Sequence, residues 1–367
     1  MTTTDPTLAT APSTATTAEP SRPEPDPGER MVQVLNDAAI CLLGGLGHDT
    51  GLFDTLAALP WATSQQIADA AGLDERYVRE WLGGVVTGGL VDYRPDNVTY
   101  RLREGYAPLL TGTGPDNLAR TLSMLTLLSG VAPAVVEKFR TGGGLGYADY
   151  PGFHEVQAAD SGAVNDASLV DTIIPVTGLV PLLREGLDVA DYGCGQGHAI
   201  NLLAREFPAS RFTGLDFEQE AVDAARAEAA AWGLPNARFE VRDVATEGEH
   251  AAYDLVTAFD TIHDQAHPAQ VLANIRRALR PGGTFLMVDI QASSHLEQNL
   301  ELPWASFLYA VSTTHCMSVS LAQGGEALGT VWGVEQAQQM LRDAGFREVT
   351  VHEIEDDPFN VYVVSRV

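Results

Sequence analysis

The run Asp191-Tyr192-Gly193-Cys194-Gly195-Gln196-Gly197 follows a short apolar stretch and precedes a helical pattern. Glycines at alternate positions of a strand-to-helix turn let a ligand approach the backbone. Their spacing puts His198 where the dinucleotide fingerprint has its third glycine, which argues against a nicotinamide or flavin. Two acids stand at the tips of the next strand-like runs, Asp216 after Phe212–Leu215 and Asp243 after Phe239–Arg242. An ionised carboxylate has two acceptor oxygens and can take both hydrogen bonds of a ribose diol, a role that suits Asp216. Either acid could instead cap the following helix. A fourth run ends in Phe259-Asp260-Thr261-Ile262-His263-Asp264. His263 is a candidate base because imidazole titrates near neutrality, although a histidine at a strand tip can equally bond backbone or help cap a helix. Asp264 either orients His263 or caps the helix begun near Pro268, and His267 has the same structural alternative.

These residues need a scaffold, and from 188 onward strand-like runs alternate with helical ones. Runs at 189–192, 211–215, 238–241, 255–259 and 284–289 are separated by helical patterns at 197–206, 218–232 and 268–280, with two further strands at 349–353 and 360–365. This alternation predicts a parallel, doubly wound α/β sheet. Upstream, Met31–Leu46 and Gly51–Leu59 have helical periodicity. Thr63-Ser64-Gln65-Gln66 reads as a capping box for a helix ending at Ala71, and Asp74 as the cap of one running to Thr87. A hairpin, Gly89–Tyr93 and Val98–Leu102 around Pro95-Asp96-Asn97, completes a winged-helix unit. Helical segments at 117–139, interrupted near Pro133, and at 153–183, bent at Pro175 and Pro181, connect the two parts.

Domains are therefore expected at 1–28 (a disordered Thr-, Pro-, Ala- and Ser-rich tail), 29–112 (winged helix), 113–186 (helical linker) and 187–367 (sheet domain). The formal charge of −27 opposes binding to nucleic acid or anionic membranes. Within 61–104 there are five arginines against seven acids, so the winged helix reads as a packing or dimerisation module rather than a DNA reader. No secretory pattern and no run near the roughly 20 apolar residues of a bilayer span is evident, and a cytoplasmic location is expected. Cys41, Cys194 and Cys316 are widely spaced and indicate neither disulfides nor a metal site.

The stretch 188–289, with its glycine loop, Asp216, Asp243 and Leu279-Arg280-Pro281-Gly282-Gly283, resembles the class I S-adenosylmethionine (SAM)-dependent methyltransferases. That resemblance implies a Rossmann-like seven-stranded sheet. It also implies that Asp191, Gly193, Gly195 and Gly197 hold the methionine portion and Asp216 the ribose, with Asp243 and Val244 at the adenine edge and Phe217 and Asp260 nearby. Ile262-His263-Asp264 and the winged helix are similar to plant-type small-molecule O-methyltransferases, except that Gln265 stands where those have tryptophan. A bacterial group of winged-helix methyltransferases resembles the chain from about Asn36 onward. The implied reaction is methyl transfer to a small-molecule acceptor, with oxygen favoured as the methylated atom, His263 and Asp264 catalytic, S-adenosylhomocysteine as product and a homodimer as the assembly. In this fold an insertion such as 295–332 covers the acceptor pocket, making Trp304, His315 and Trp332, with Phe153 and His154, candidate contacts. Cys316 reads as a buried small hydrophobe. The alternatives are a SAM-sensing DNA-binding regulator and a SAM-binding enzyme of non-methylating chemistry.

Overall fold

Asp26 opens the first helix, accepting hydrogen bonds from Gly28 N and Glu29 N at 2.8 and 3.3 Å. A computed structural model describes residues 26–367 except 247 and 356, so of the expected tail only 26–28 are described, and they form this cap and first turn. Helices α1 (Pro27–Asp49), α2 (Leu52–Ala58), α3 (Ser64–Ala71) and α4 (Glu75–Thr87) precede the hairpin β1 (Val91–Arg94) and β2 (Thr99–Leu102). The capping box is present: Gln66 N donates to Thr63 Oγ1 at 3.3 Å and Thr63 N to Gln66 Oε1 at 2.9 Å. Phe53, Leu56, Ile67, Leu82 and Val85 fill the core of this winged helix. Trp81 Nε1 donates to Leu43 O at 2.8 Å, tying α4 to α1.

After α5 (Ala107–Leu110), α6 (Leu118–Thr141) runs unbroken through Pro133, contrary to the expected interruption. Proline removes one backbone donor, but Leu128, Val131 and Val135 are buried on either side and their packing holds the helix together. By length and composition α6 is long and apolar enough to cross a membrane, a feature the sequence reading passed over. It packs instead against α1, and its buried Arg120 pairs with Asp160 at 2.9 Å. Helix α7 (Phe153–Val164) continues into a π-helical segment, Asn165–Ile173, then a 3₁₀ turn, Ile174–Thr177, and α8 (Val180–Glu185).

The sheet domain contributes β3 (Asp188–Tyr192), α9 (His198–Glu206), β4 (Arg211–Asp216), α10 (Gln219–Trp232), β5 (Ala237–Val241), β6 (Tyr253–Phe259), α11 (Pro268–Ala278) and β7 (Leu279–Ile290). The insertion then adds α12 (Ala305–Val311), a π-helical segment Ser312–Cys316 and α13 (Met317–Ala322). Helix α14 (Val334–Asp343), β8 (Glu348–Ile354) and β9 (Asp357–Arg366) complete the chain. The strand order is β5-β4-β3-β6-β7-β9-β8, parallel except for β9, which runs antiparallel to both neighbours. Apolar side chains of α9 and α10 cover one face, and those of α11 and α14 the other. Successive strands move outward from β3 to β5 and then restart beside it at β6. The loops after β3 and β6 therefore meet at the switch point, where open α/β sheets bind ligands.

A separate apolar cluster of Leu128, Val135, Leu145, Tyr150, Phe153 and Val319 packs the linker helices against the insertion. Tyr150 Oη donates to Thr314 O at 2.6 Å and Leu145 N to Ser318 Oγ at 2.8 Å, so the linker is fastened to the middle of the insertion.

Candidate active site

The loop after β3 needs its glycines for different reasons. Gly193, Gly195 and Gly197 all have positive φ (78°, 52° and 72°), a region that L side chains rarely enter. A Cβ on Gly197 would lie 2.5 Å from Phe239 Cε1 and 2.6 Å from Ala225 Cβ, so this glycine lets α9 close on the sheet. One on Gly193 would collide with Thr261, in the loop after β6. Gly195 differs: nothing lies within 4 Å of its missing Cβ, which leaves its backbone open to a ligand. His198 bonds Glu228 Oε1 at 2.8 Å and Asp166 Oδ1 at 3.1 Å, fastening the start of α9 to α10 and the first π-helical segment.

Asp216 accepts from Gly195 N at 2.8 Å and Glu218 N at 2.9 Å. It thus both shapes the glycine loop and caps the next turn, and burial raises its pKa despite those donors. Asp191 is 2% exposed, and its Oδ1 accepts from Thr257 Oγ1 at 2.7 Å. Burial pushes its pKa up to about 7, with Asp216 adding to the rise against the Thr257 hydrogen bond. Asp243 is exposed and accepts from Ala245 N at 2.8 Å, the local capping foreseen as its alternative, and Val244 is buried beside it. Asn274 Nδ2 donates to the carbonyls of Val244, Ala245 and Thr246 and pins that turn.

At the tip of β6, Asp260 adopts φ 48°, a costly conformation for a non-glycine residue. Burial first, and then Asp289, raise its pKa to about 7. His263, 3% exposed, bonds Asp289 Oδ1 through Nδ1 at 2.8 Å, and its Nε2 lies 3.4 Å from Asp264 Oδ1. Burial alone would lower the imidazole pKa, but Asp289 and Asp264 outweigh it and hold the ring well above its ordinary value. Asp289 Oδ1 also accepts from Trp332 Nε1 at 3.0 Å and Ile290 N at 2.8 Å. Helix α11 has no side-chain cap, so Asp264 does not serve there, contrary to the capping alternative. His267 occupies the cap position without such a bond. Gln265 Nε2 turns back to Thr261 O at 3.2 Å.

The insertion closes this region with rings. His315 is 1% exposed, stacks on Phe153 with centroids 3.7 Å apart, and meets Tyr150 and Tyr147 edge-on at 4.9 and 5.7 Å. Tyr147 also contacts His154 and, at 5.6 Å, Phe217 beside Asp216, so one aromatic chain links the glycine-loop side to the insertion. Among the described residues neither ring nitrogen of His315 has a hydrogen-bond partner, and burial lowers its pKa to about 4.

Of the predicted contacts, Phe153, His154 and His315 come together. Trp332 reaches the site only behind Asp289, and Trp304 stacks on Phe359 at 4.3 Å. Sequence reasoning missed Asp289, Tyr147 and Tyr150. Asp289 carried the strand-tip signal used for Asp216, whereas the two tyrosines sit in a glycine-rich linker without periodicity. It also gave Cys316 no partner, but the thiol lies against His263, and burial raises its pKa to about 11.

Residues 183–345 match the family described as methyltransferase domain, and residues 38–112 match the Rv2258c-like winged HTH domain. The chain carries a methyltransferase domain. Over 133 residues it is 32% identical to a trans-aconitate 2-methyltransferase of Variovorax paradoxus, covering 34% of this chain and 48% of that protein. The chain thus spans about half the length of that relative. An O-methyltransferase family protein from Burkholderia thailandensis superposes with a TM-score of 0.69 at 16% identity, over 94% of this chain and 98% of that one. Human N-acetylserotonin methyltransferase, solved with SAM, gives 0.66 at 17% identity over 94% and 99%. These likenesses show that the winged helix, linker and methyltransferase domain follow one shared fold.

Proposed function

We propose that the protein moves the methyl group of SAM to an oxygen of a small-molecule acceptor and releases S-adenosylhomocysteine. One observation carries the reading: the open backbone at Gly195, the buried carboxylate of Asp191 and the half-buried one of Asp216 converge at the switch point with the His263–Asp289 pair of the neighbouring loop. The donor set fits the cofactor. Asp191 and the glycines suit a cationic amino acid end, Asp216 a diol, and Asp243 with Val244 a base edge, while Phe217 and Asp260 flank them. SAM supplies an electrophilic methyl group on a positively charged sulfur.

The chain's own part is alignment and proton management. His263 Nε2 would take the acceptor's hydroxyl proton in its unprotonated form, which the raised pKa reserves for more alkaline pH, and Asp289 would steady the resulting imidazolium through Nδ1. Asp264 stands beside Nε2 and stabilises the same charge. The cage of Phe153, Tyr147, Tyr150 and His315 excludes water and suits a flat, apolar acceptor. Asp264 and Asp216 lie near Tyr147, and Asp264 near His315, which disfavours a polyanionic acceptor of the trans-aconitate kind.

The winged helix serves assembly in this reading. Its arginines are already engaged: Arg76 and Arg79 pair with Glu80 and Glu75, Arg101 and Arg103 with Asp92, and Arg94 lies over Trp61. Met31, Val32 and Leu35 on α1 and Phe139 on α6 are exposed, an apolar surface that a homodimer would cover. The test is calorimetry with SAM. Wild type should bind it and Asp216→Ala should not, whereas equal affinity would sink the cofactor assignment. Formation of S-adenosylhomocysteine across a panel of phenols then separates transfer from non-methylating chemistry.

A further inference from the structure

Three ligand-type groups of the loop after β6 and the second π-helical segment meet in the interior. His263 Nε2, Asp264 Oδ1 and Cys316 Sγ lie within 4.8 Å of one another, and all three residues are buried. Nε2 and Oδ1 are 3.4 Å apart, close to the separation of two ligands that share one metal ion at bond lengths of roughly 2.0–2.2 Å. Asp264 Oδ1 is enclosed in a residue 8% exposed and, among the described residues, accepts no hydrogen bond, its neighbour being His263 Nε2. The other ring nitrogen of His263 is held by Asp289, itself fixed by Trp332 and Ile290. A carboxylate behind the second nitrogen is the usual support of a metal-binding histidine.

We infer that His263, Asp264 and Cys316 form a binding site for a thiolate-tolerant divalent cation, with Zn²⁺ the best fit. Nitrogen, oxygen and sulfur donors in one set suit zinc, whereas calcium and magnesium require oxygen ligands. Three protein ligands leave a fourth tetrahedral position. The second π-helical segment supplies the geometry by placing Cys316 against the loop after β6, and Ser320 Oγ donates to Gln265 O at 3.0 Å to fasten the two together. The site goes beyond the methyl-transfer reading and competes with it for one atom, because a cation on Nε2 occupies the position that receives the acceptor's proton. Zinc therefore inhibits transfer, and a chelator restores it.

The test uses the untagged full chain, stripped with chelator and titrated with Co²⁺ and Zn²⁺. One equivalent of Co²⁺ should produce a thiolate-to-cobalt charge-transfer absorption, which one equivalent of Zn²⁺ should abolish. Cys316→Ser should lose that absorption while Cys41→Ser keeps it, and Asp264→Asn should weaken affinity at least tenfold. Circular dichroism checks that each variant is folded, and the Cys41→Ser control guards against a general effect of thiol removal. No charge-transfer absorption, or one indifferent to Cys316→Ser in a folded variant, would overturn the site and reduce any bound metal to counterions of the acidic surface. SAM calorimetry on the metal-free chain reports on the cofactor reading separately, so the two can fail independently.

Discussion

Asp191 couples stability to pH in a way that one substitution can expose. Its carboxyl is 2% exposed, and burial raises its pKa from 3.8 to about 7. Between those values the folded chain holds a proton that the unfolded chain has released, so stability falls as pH rises. The favourable contribution is complete below pH 3.8 and lost as pH passes about 7. Three pH units at 1.36 kcal/mol each set a ceiling of about 4 kcal/mol on this loss. Asp191→Asn removes the titration while keeping an oxygen for Thr257 Oγ1, now at 2.7 Å. Urea unfolding followed by tryptophan fluorescence, without cofactor, should show little difference between variant and wild type near pH 4. At pH 8 the variant should be more stable, by a difference that grows steadily through the interval. Using the difference between the two proteins cancels the other titrating groups. Parallel stability curves from pH 4 to 8 would refute the reasoning.

The same residue predicts that SAM binding weakens below pH 7, by up to tenfold per unit, in wild type but not in an already weak Asp191→Asn variant; calorimetry at pH 6 and 8 decides this. Gly197→Ala should destabilise the protein by about 1–3 kcal/mol, because its Cβ meets Phe239 and Ala225, as measured by chemical denaturation. Gly195→Ala should cost only the backbone strain of about 1 kcal/mol, yet lower SAM affinity, since its Cβ enters the open space. His263→Ala should retain SAM binding and slow turnover by about 10²–10⁴-fold in the metal-free enzyme, and unchanged turnover would remove it as the base.

The winged helix and the alternating sheet were legible because their signals are local. Thr63 and Gln66 sit three residues apart in a capping box, and each strand is a short apolar run bounded by turn residues. Pro133 misled the reading because a proline's local cost says nothing about the packing of Leu128, Val131 and Val135 around it. Of the two roles read for Asp216, the structure shows the local capping, through Glu218 N, and adds a hydrogen bond from Gly195 N that spacing did not reveal, while ribose binding stays a proposal.

The glycine spacing at 193–197, the acids at strand tips and the His263-Asp264 pair are properties of neighbouring residues, so the sequence by itself determined the sheet domain and singled out the residues proposed to hold the cofactor. What surrounds His263 was decided only by tertiary structure. Asp289 lies 26 residues along the chain from it, and the side chains of Cys316, His315, Tyr147 and Trp332 arrive from the linker and the insertion. The physical reason is that a strand crossover and two irregular helical segments set those distances, and neither leaves a period in the sequence. Burial, neighbouring charges and hydrogen bonds then do the rest, since all three, set by the fold, decide how aspartates of one type differ in proton affinity.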